Sequence, residues 1–406
     1  TEWKEKEKET SPESKVITAE MLTFHSFIQY HLHKQLSVMS LYARTKHVAL
    51  HVEVPASVHP LGADIMANPQ LFKQGPCLGI APNFSMPFGA NTNLPVPDWE
   101  GHQNQGFQWW SARLEHLAHY FQGICLRDVS TYFRCFEIPA DAKTAELGNY
   151  TPHVPVNRVD LERRGVQNII DLERAFITDT VVSRVSGERA LEVTRKLLDK
   201  APWGSSSAVR YQPKQELLFN NPEASLMPIL SRLSSNILLI PAQDGVGPRL
   251  LMEHNSNGAL ESVDRTVRDA LRAAHDEYYY GERNTRLWKN WGIYHLRKLK
   301  SLTPMLITCE DREEALPSFI REGIGNCQIP LQSQLLYNWD GPPSIKVGPH
   351  WTIASTSSIS RKLLRFWWEE HRDTPALKWL YNDVLGLTDI PPHFCESAIV
   401  QRAILR

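Results

Sequence analysis

Residues 305–311 read Met-Leu-Ile-Thr-Cys-Glu-Asp (MLITCED), an apolar run that ends in two adjacent acids. A short apolar run with polar residues at its end predicts a buried strand. Similar short runs, apolar or alternating, occur at 48–54 (VALHVEV), 123–127 (GICLR), 328–335 (QIPLQSQL) and 351–355 (WTIAS). Helical patterns separate these runs, and strands that alternate with helices predict an α/β fold with a parallel sheet or barrel.

Helical periodicity surrounds the predicted strands. Apolar residues recur on one broad face from Thr18 to Tyr42, and residues 107–121 (FQWWSARLEHLAHYF) predict an amphipathic helix. The proline-rich and asparagine-rich stretch 76–99 predicts a long loop. Residues 245–247 (GVG) lack the context of a nucleotide-binding motif and predict a turn.

The region between the second and third predicted strands is mainly helical in pattern. Its predicted helices lie at 159–177, at 188–200, within 216–235 and across 262–302. We therefore expect four parts: a polar tail (1–15), a barrel-like first half (16–140), a helical insertion (141–303) and a barrel-like second half (304–406).

Composition excludes several classes of function. The 406 residues carry 44 Lys and Arg against 45 Asp and Glu, so direct binding to nucleic acid is not expected. No apolar run approaches about 18 residues, so no membrane span is expected. Six cysteines occur without a CxxC pair, which predicts reduced, buried thiols in a reducing intracellular compartment. No motif predicts a cofactor or a metal site.

The acids Glu310 and Asp311 are the strongest chemical signal in the residues alone. They follow a predicted buried strand directly, and catalytic residues of barrels lie at the carboxyl ends of strands. The same pattern also fits acids in the first turn of a helix. The pattern alone leaves both interpretations open.

Several segments together resemble glycoside hydrolase family 77, the 4-α-glucanotransferases or amylomaltases, and most closely its plant cytosolic disproportionating enzymes. The segments lie at 30–58, 106–121 (GFQWWSARLEHLAHYF), 133–140 (FRCFEIPA), 147–166, 278–291, 309–322 (CEDREEALPSFIRE), 366–373 (FWWEEHRD) and 386–406. The resemblance implies a (β/α)8 TIM barrel with a large helical insertion. Five predicted strands cannot close a barrel, so we expect an incomplete one, with both ends of the family's barrel missing.

The resemblance also implies where a retaining transferase would hold its three carboxylates. The acid/base position is Glu310, which is kept. The nucleophile position holds Arg127, and the position of the stabilising carboxylate holds Ser360. Asp128 reaches the nucleophile position only by a one-residue slip, which would turn its side chain to the opposite face of a strand.

Other positions are expected to be remnants of a glucan site. Glu53 lies where the resemblance places the aspartate of an Asp-x-Pro motif. The aromatic residues Phe84, Trp99 and Trp110 could stack on sugar rings.

An arginine at the nucleophile position disfavours retaining glucan transfer. At about 5 Å and an effective dielectric of about 20, exchanging attraction for repulsion toward an oxocarbenium-like centre changes the energy by about 6–7 kcal/mol. That difference removes more than about four decades of rate. The leading hypothesis is therefore a catalytically degenerate protein with a structural or interaction role, as a subunit of a larger assembly.

Two alternatives stay open at the level of the sequence. One is an active 4-α-glucanotransferase acting on maltose and on glycogen or starch chains, with Asp128 as nucleophile and Glu310 as acid/base. The other is a non-catalytic protein that binds α-glucan.

Overall fold

The computed structural model describes residues 12–83, 86–142, 144–202, 209–215, 223–242, 244–249, 258–310, 316–334, 352–355 and 364–399. Its strands are β1 (His51–Val54), β2 (Phe72–Ile80), β3 (Ala90–Pro97), β4 (Gly123–Leu126), β5 (Cys135–Ile138), β6 (Asn149–Thr151), β7 (Leu198–Lys200), β8 (Tyr211–Pro213), β9 (Leu239–Ala242), β10 (Gly245–Pro248), β11 (Leu306–Glu310), β12 (Leu331–Gln334) and β13 (Thr352–Ser355).

The α-helices are α1 (Pro12–Thr45), α2 (Ala63–Ala67), α3 (Trp99–Asn104), α4 (Gln108–Ala118), α5 (Ser130–Phe133), α6 (Arg158–Arg163), α7 (Ile169–Leu172), α8 (Asp179–Ser186), α9 (Ala190–Leu197), α10 (Met227–Ser234), α11 (Arg265–Tyr280), α12 (Glu282–Ser301), α13 (Ser318–Asn326), α14 (Leu364–Glu370) and α15 (Pro375–Trp379).

A parallel sheet is the centre of the fold. Its five strands follow the spatial order β1-β4-β11-β12-β13, and each neighbouring pair is parallel. All five predicted strands are therefore confirmed, and they belong to one sheet. The structure shows an α/β fold; the incomplete barrel stays a prediction, because among the described residues β1 and β13 each pair on one side.

A second sheet corrects the predicted loop at 76–99. Strands β2 and β3 pair antiparallel in a sheet of order β3-β2-β5-β6. Proline is tolerated on an edge strand and at irregularities of the ladder. Pro95 and Pro97 lie on the edge strand β3, and Pro76 lies where the register of β2 shifts. The prediction of a loop across 76–99 is therefore wrong for 76–80 and 90–97, where the prolines occupy positions that a sheet tolerates.

Residues 141–303 contain more than helices. The predicted helix at 159–177 is two short helices, α6 and α7, separated by Gly165 at φ +89°. The predicted helix at 188–200 ends at Leu197 and continues as β7, and the predicted turn at 245–247 lies in β10, which pairs with β9. Helices α11 and α12 confirm the long helical pattern at 262–302.

Helix α1 is less covered than its apolar pattern predicts. It begins at Pro12, so the last four residues of the predicted polar tail are helical. Ser40 and Ala43 are buried near its end, but many large apolar side chains are exposed. These are Met21, Leu22, Phe24, Phe27, Tyr30, Leu32, Val38, Met39, Leu41 and Tyr42. Among the described residues, no helix is long and apolar enough to cross a membrane.

The cysteines largely follow the prediction of buried thiols. Four are buried, Cys77 is half-buried and Cys395 is exposed, and all six are free thiols. The exposed Cys395 is the exception, because it lies in the last described segment of the chain, outside the main core.

The main core lies between the parallel sheet and the helices α4, α5, α12 and α13. Phe133, at the end of α5, fits against two helices that carry glycine at the contact. A Cβ on Gly292 of α12 would lie 2.1 Å from the Phe133 ring, and one on Gly323 of α13 would lie 2.5 Å from it. The absence of side chains at these two positions lets α5, α12 and α13 meet around one aromatic ring.

We expect Gly292→Ala to lower the free energy of unfolding by about 1–3 kcal/mol, because the new methyl group overlaps the Phe133 ring. Gly325→Ala on α13 is the matched control, since a Cβ there meets nothing within 4 Å and alanine favours a helix over glycine. Chemical denaturation of both variants measures the difference. Equal stability of the two variants would show that the contact with Phe133 does not constrain the helices.

Candidate functional site

The register of the parallel sheet brings polar side chains to one face. Glu53, Cys125 and Thr308 are paired across β1, β4 and β11. Side chains alternate along a strand, so residues two apart share a face. Arg127 lies two residues beyond Cys125 and therefore on that face. Glu310 likewise lies two residues beyond Thr308, at the carboxyl end of β11.

Arg127 lies between two carboxylates from the neighbouring strands. Its Nη1 contacts Oε2 of Glu53, and its Nε lies 3.4 Å from Oε2 of Glu310. Its backbone N–H donates to the carbonyl of Val54 over 3.0 Å, which extends the β1–β4 ladder by one residue. The backbone bond places the guanidinium at the sheet edge, where both acids reach it.

Because Glu310 is buried, the fold is stable only if a cation is paired with its carboxylate. The side chain of Glu310 is 8% exposed, that of Arg127 is 23% exposed and that of Glu53 is 35% exposed. A buried carboxylate is stable when it is paired with a cation. The three groups carry a formal charge of −1, and the central cation reduces the repulsion between the two acids.

Neutral polar groups continue the same row. Thr308 Oγ1 accepts a hydrogen bond from Nε2 of Gln332 at 3.2 Å and lies 3.4 Å from Nε2 of His51. Burial, with the carboxylates of Glu310 and Glu53 nearby, raises the pKa of Cys125 to about 11. Its thiol therefore stays protonated at neutral pH and is a poor nucleophile.

Asp128 does not join this cluster. It follows Arg127 directly, with a left-handed backbone at φ +49°, and its side chain is exposed. The ion pairs that Arg127 forms are with Glu53 and Glu310, and Asp128 accepts from Thr131 through its backbone carbonyl. A one-residue slip of β4 is absent, since Val54 pairs with Leu126 and Arg127 continues that ladder.

Trp99 and Trp110 correct the prediction of a glucan-stacking surface. Trp99 is 5% exposed and Trp110 is fully buried. Trp99 donates from Nε1 to the carbonyl of Thr131 at 3.2 Å and stacks on His295, with 4.3 Å between ring centroids. Burial lowers the pKa of His295 to about 4, so this contact is between neutral rings. Both tryptophans are core residues, with no ring face open to a sugar.

Three predicted positions lie outside the described residues: Ser360, Phe84 and the Asp311 that follows Glu310. Their roles stay predictions. Among the residues that the structure describes, no group of three or more His, Cys, Asp or Glu side chains could hold a metal ion.

The polar row extends beyond the residues that the sequence singled out. His51, Thr308 and Gln332 belong to it, yet they carry no motif. The alternation in 48–54 places His51 and Glu53 on one face, which is a usable signal. The contribution of Gln332 depends on the pairing of β11 with β12, which no local pattern reveals.

Comparison with known proteins agrees with the resemblance in the sequence. Residues 1–165 match the family model Glyco_hydro_77, described as 4-alpha-glucanotransferase. The chain is 26% identical to the 4-alpha-glucanotransferase DPE2 of Oryza sativa subsp. japonica over 406 aligned positions, which cover 94% of this chain and 41% of that protein. It is 28% identical to the 4-alpha-glucanotransferase of Aquifex aeolicus over 182 positions, which cover 42% of this chain and 38% of that protein.

The chain thus spans about two fifths of the length of the curated relatives that it matches. Among solved structures, the amylomaltase from Streptococcus agalactiae in complex with acarbose superposes with a TM-score of 0.49 at 13% identity, covering 95% of this chain and 51% of that one.

We expect Arg127→Met to lower the free energy of unfolding by about 2–4 kcal/mol at pH 7, because it removes the cation between Glu53 and a buried carboxylate. Glu310→Gln added to this variant should recover part of the loss, since one of the facing charges is then gone. Urea denaturation of the single and double variants measures the coupling.

The matched control is Arg163→Met, which breaks an exposed pair with Asp160 and should cost less than about 1 kcal/mol. If Arg127→Met costs no more than this control, Arg127 does not neutralise the edge.

Proposed function

We propose that this chain, which belongs to glycoside hydrolase family 77, does not transfer glucan units and serves as a non-catalytic component of a protein assembly. The observation that carries the proposal is the position of Arg127 between Glu53 and Glu310.

A retaining mechanism needs a nucleophile and an acid/base about 5–5.5 Å apart on either side of the scissile bond. Here the acid/base candidate Glu310 faces a guanidinium, which is permanently protonated and cannot attack an anomeric carbon. The same cation repels the positive charge that develops on the sugar. Glu310 is itself held in an ion pair by Arg127. These features support the loss of the covalent route.

The active-enzyme alternative needs Asp128 as nucleophile. The exposed side chain of Asp128 and its absence from the ion-pair cluster argue against that role. The glucan-binding alternative is weakened as well, because Trp99 and Trp110 are buried in the core. Among the described residues, no contact at this sheet edge favours an active transferase or a glucan-binding protein.

The many exposed apolar side chains of α1 support the assembly role. Soluble monomers seldom expose a large continuous apolar patch, and such patches mark interaction sites. Strand β1, which follows α1, also has one unpaired edge among the described residues, and an open edge can pair with another chain. We infer that a protein partner covers α1.

We expect the chain to release no glucose from maltose in the presence of glycogen, because no nucleophile stands opposite Glu310. A coupled glucose assay measures release, with the Aquifex aeolicus 4-alpha-glucanotransferase as the positive control. Turnover by the wild-type chain that disappears in Asp128→Asn would falsify the loss of activity.

We expect the 406-residue chain, added as a tagged recombinant protein to its native extract, to migrate as a complex larger than its own 46.4 kDa. The double variant Phe27→Ser, Val38→Ser should shift it to the mass of the free chain, because both apolar side chains are exposed on α1. Leu191→Ser, at another exposed apolar position, is the control and should leave the complex intact. A wild-type chain that migrates as a monomer contradicts the assembly role, as does a double variant that still migrates with the complex.

A further inference from the structure

A cavity lies away from the Arg127 cluster, between the antiparallel sheet and the β9–β10 hairpin. Its volume is about 570 Å³, which lies within the range of small-molecule sites. Its walls are largely apolar and include four prolines, Pro76, Pro139, Pro155 and Pro241. Such walls offer rigid C–H surfaces to a ligand.

One carboxylate oxygen at this cavity is held in place but keeps free hydrogen-bonding capacity. Oε1 of Glu137 lies 2.7 Å from Nζ of Lys73 and also accepts from the hydroxyl of Thr151. Both contacts use the same oxygen, so Oε2 makes no hydrogen bond among the described residues. Because Lys73 balances the charge of Glu137, this part of the cavity is close to neutral.

Two neighbouring side chains add one acceptor and one donor. Nδ1 of His153 donates to the carbonyl of Tyr150 at 2.6 Å, which leaves Nε2 as an acceptor in the neutral ring. Burial lowers the pKa of His153, so the ring is neutral at pH 7. Oδ1 of Asn149 accepts from the hydroxyl of Tyr278 at 3.0 Å, and its Nδ2 therefore remains a donor.

We propose that this cavity binds a small neutral polyhydroxyl compound of monosaccharide size. A hydroxyl group both donates and accepts, so it can pair with Oε2 of Glu137, Nε2 of His153 and Nδ2 of Asn149. A ligand anion would face two carboxylates, Glu137 and Asp244. A ligand cation would compete with Lys73, which already holds Glu137.

The cavity is separate from the family's acid/base position. Its lining residues include none of Glu53, Arg127 and Glu310. Binding here does not depend on whether the sheet edge with Arg127 is active. The two proposals can therefore fail independently.

The test is saturation-transfer NMR titration of the full chain with methyl α-D-glucopyranoside. We expect saturable binding in the millimolar range. The matched probe is tetrahydropyran-2-methanol, which has the ring without its ring hydroxyls and should bind at least tenfold more weakly. Arg163→Met, which changes an exposed side chain outside the cavity lining, should leave the affinity unchanged.

Two variants locate the ligand. Ala140→Trp fills the cavity from an exposed wall position and should weaken binding at least tenfold, whereas Ala67→Trp, at an exposed position of α2 outside the lining, should not. Asn149→Asp keeps the acceptor for Tyr278 but loses the donor, and it should weaken binding severalfold. No saturable binding overturns the proposal. Equal affinity of the two tryptophan variants, or equal affinity for the two probes, also overturns it.

Discussion

The ion-pair cluster of Arg127 with Glu53 and Glu310 is the constraint on which the chemistry of this molecule depends. Three neighbouring parallel strands end at the same edge, and their register places two acids on one face. Glu310 is buried, and a buried carboxylate is stable only when a cation is paired with it. In this chain the cation comes from the strand between the acids, so the edge is balanced by the protein itself. A sugar would have to displace that contact before any reaction.

The other face of the same sheet explains why the edge is rigid. Its apolar side chains pack on α4, α5, α12 and α13, and the glycines of α12 and α13 let these helices close around Phe133. The helices therefore hold the sheet edge in place, but an arginine, and not a carboxylate, lies at its centre. We infer that the family's framework is kept while the use of its reaction site has changed. We propose that the exposed apolar side chains of α1 bind a protein partner and that the cavity against the β9–β10 hairpin binds a small ligand.

Much of the fold and of the candidate site could be predicted from local patterns in the sequence. Short apolar runs located the five parallel strands, and the two-residue period of a strand explains why Arg127, and not Asp128, faces Glu310. The hairpin of β2 and β3 could not be predicted in this way, because proline residues usually indicate the absence of a strand. Edge strands and register shifts tolerate proline, but the sequence alone does not show that these prolines lie there. The burial of Trp99 and Trp110 depends on which helix faces meet, and the exposure of α1 depends on contacts that its own periodicity does not contain.

The most direct measurement is covalent trapping of the sheet edge. A fluorinated α-glucosyl fluoride labels the nucleophile of retaining α-glucan enzymes, and intact-protein mass spectrometry detects the added sugar. We predict that the mass of this chain stays unchanged under conditions in which the Aquifex aeolicus relative is labelled. A stoichiometric adduct that maps to Asp128 or to another carboxylate at the edge would contradict the account, because the site would then still hold a working nucleophile.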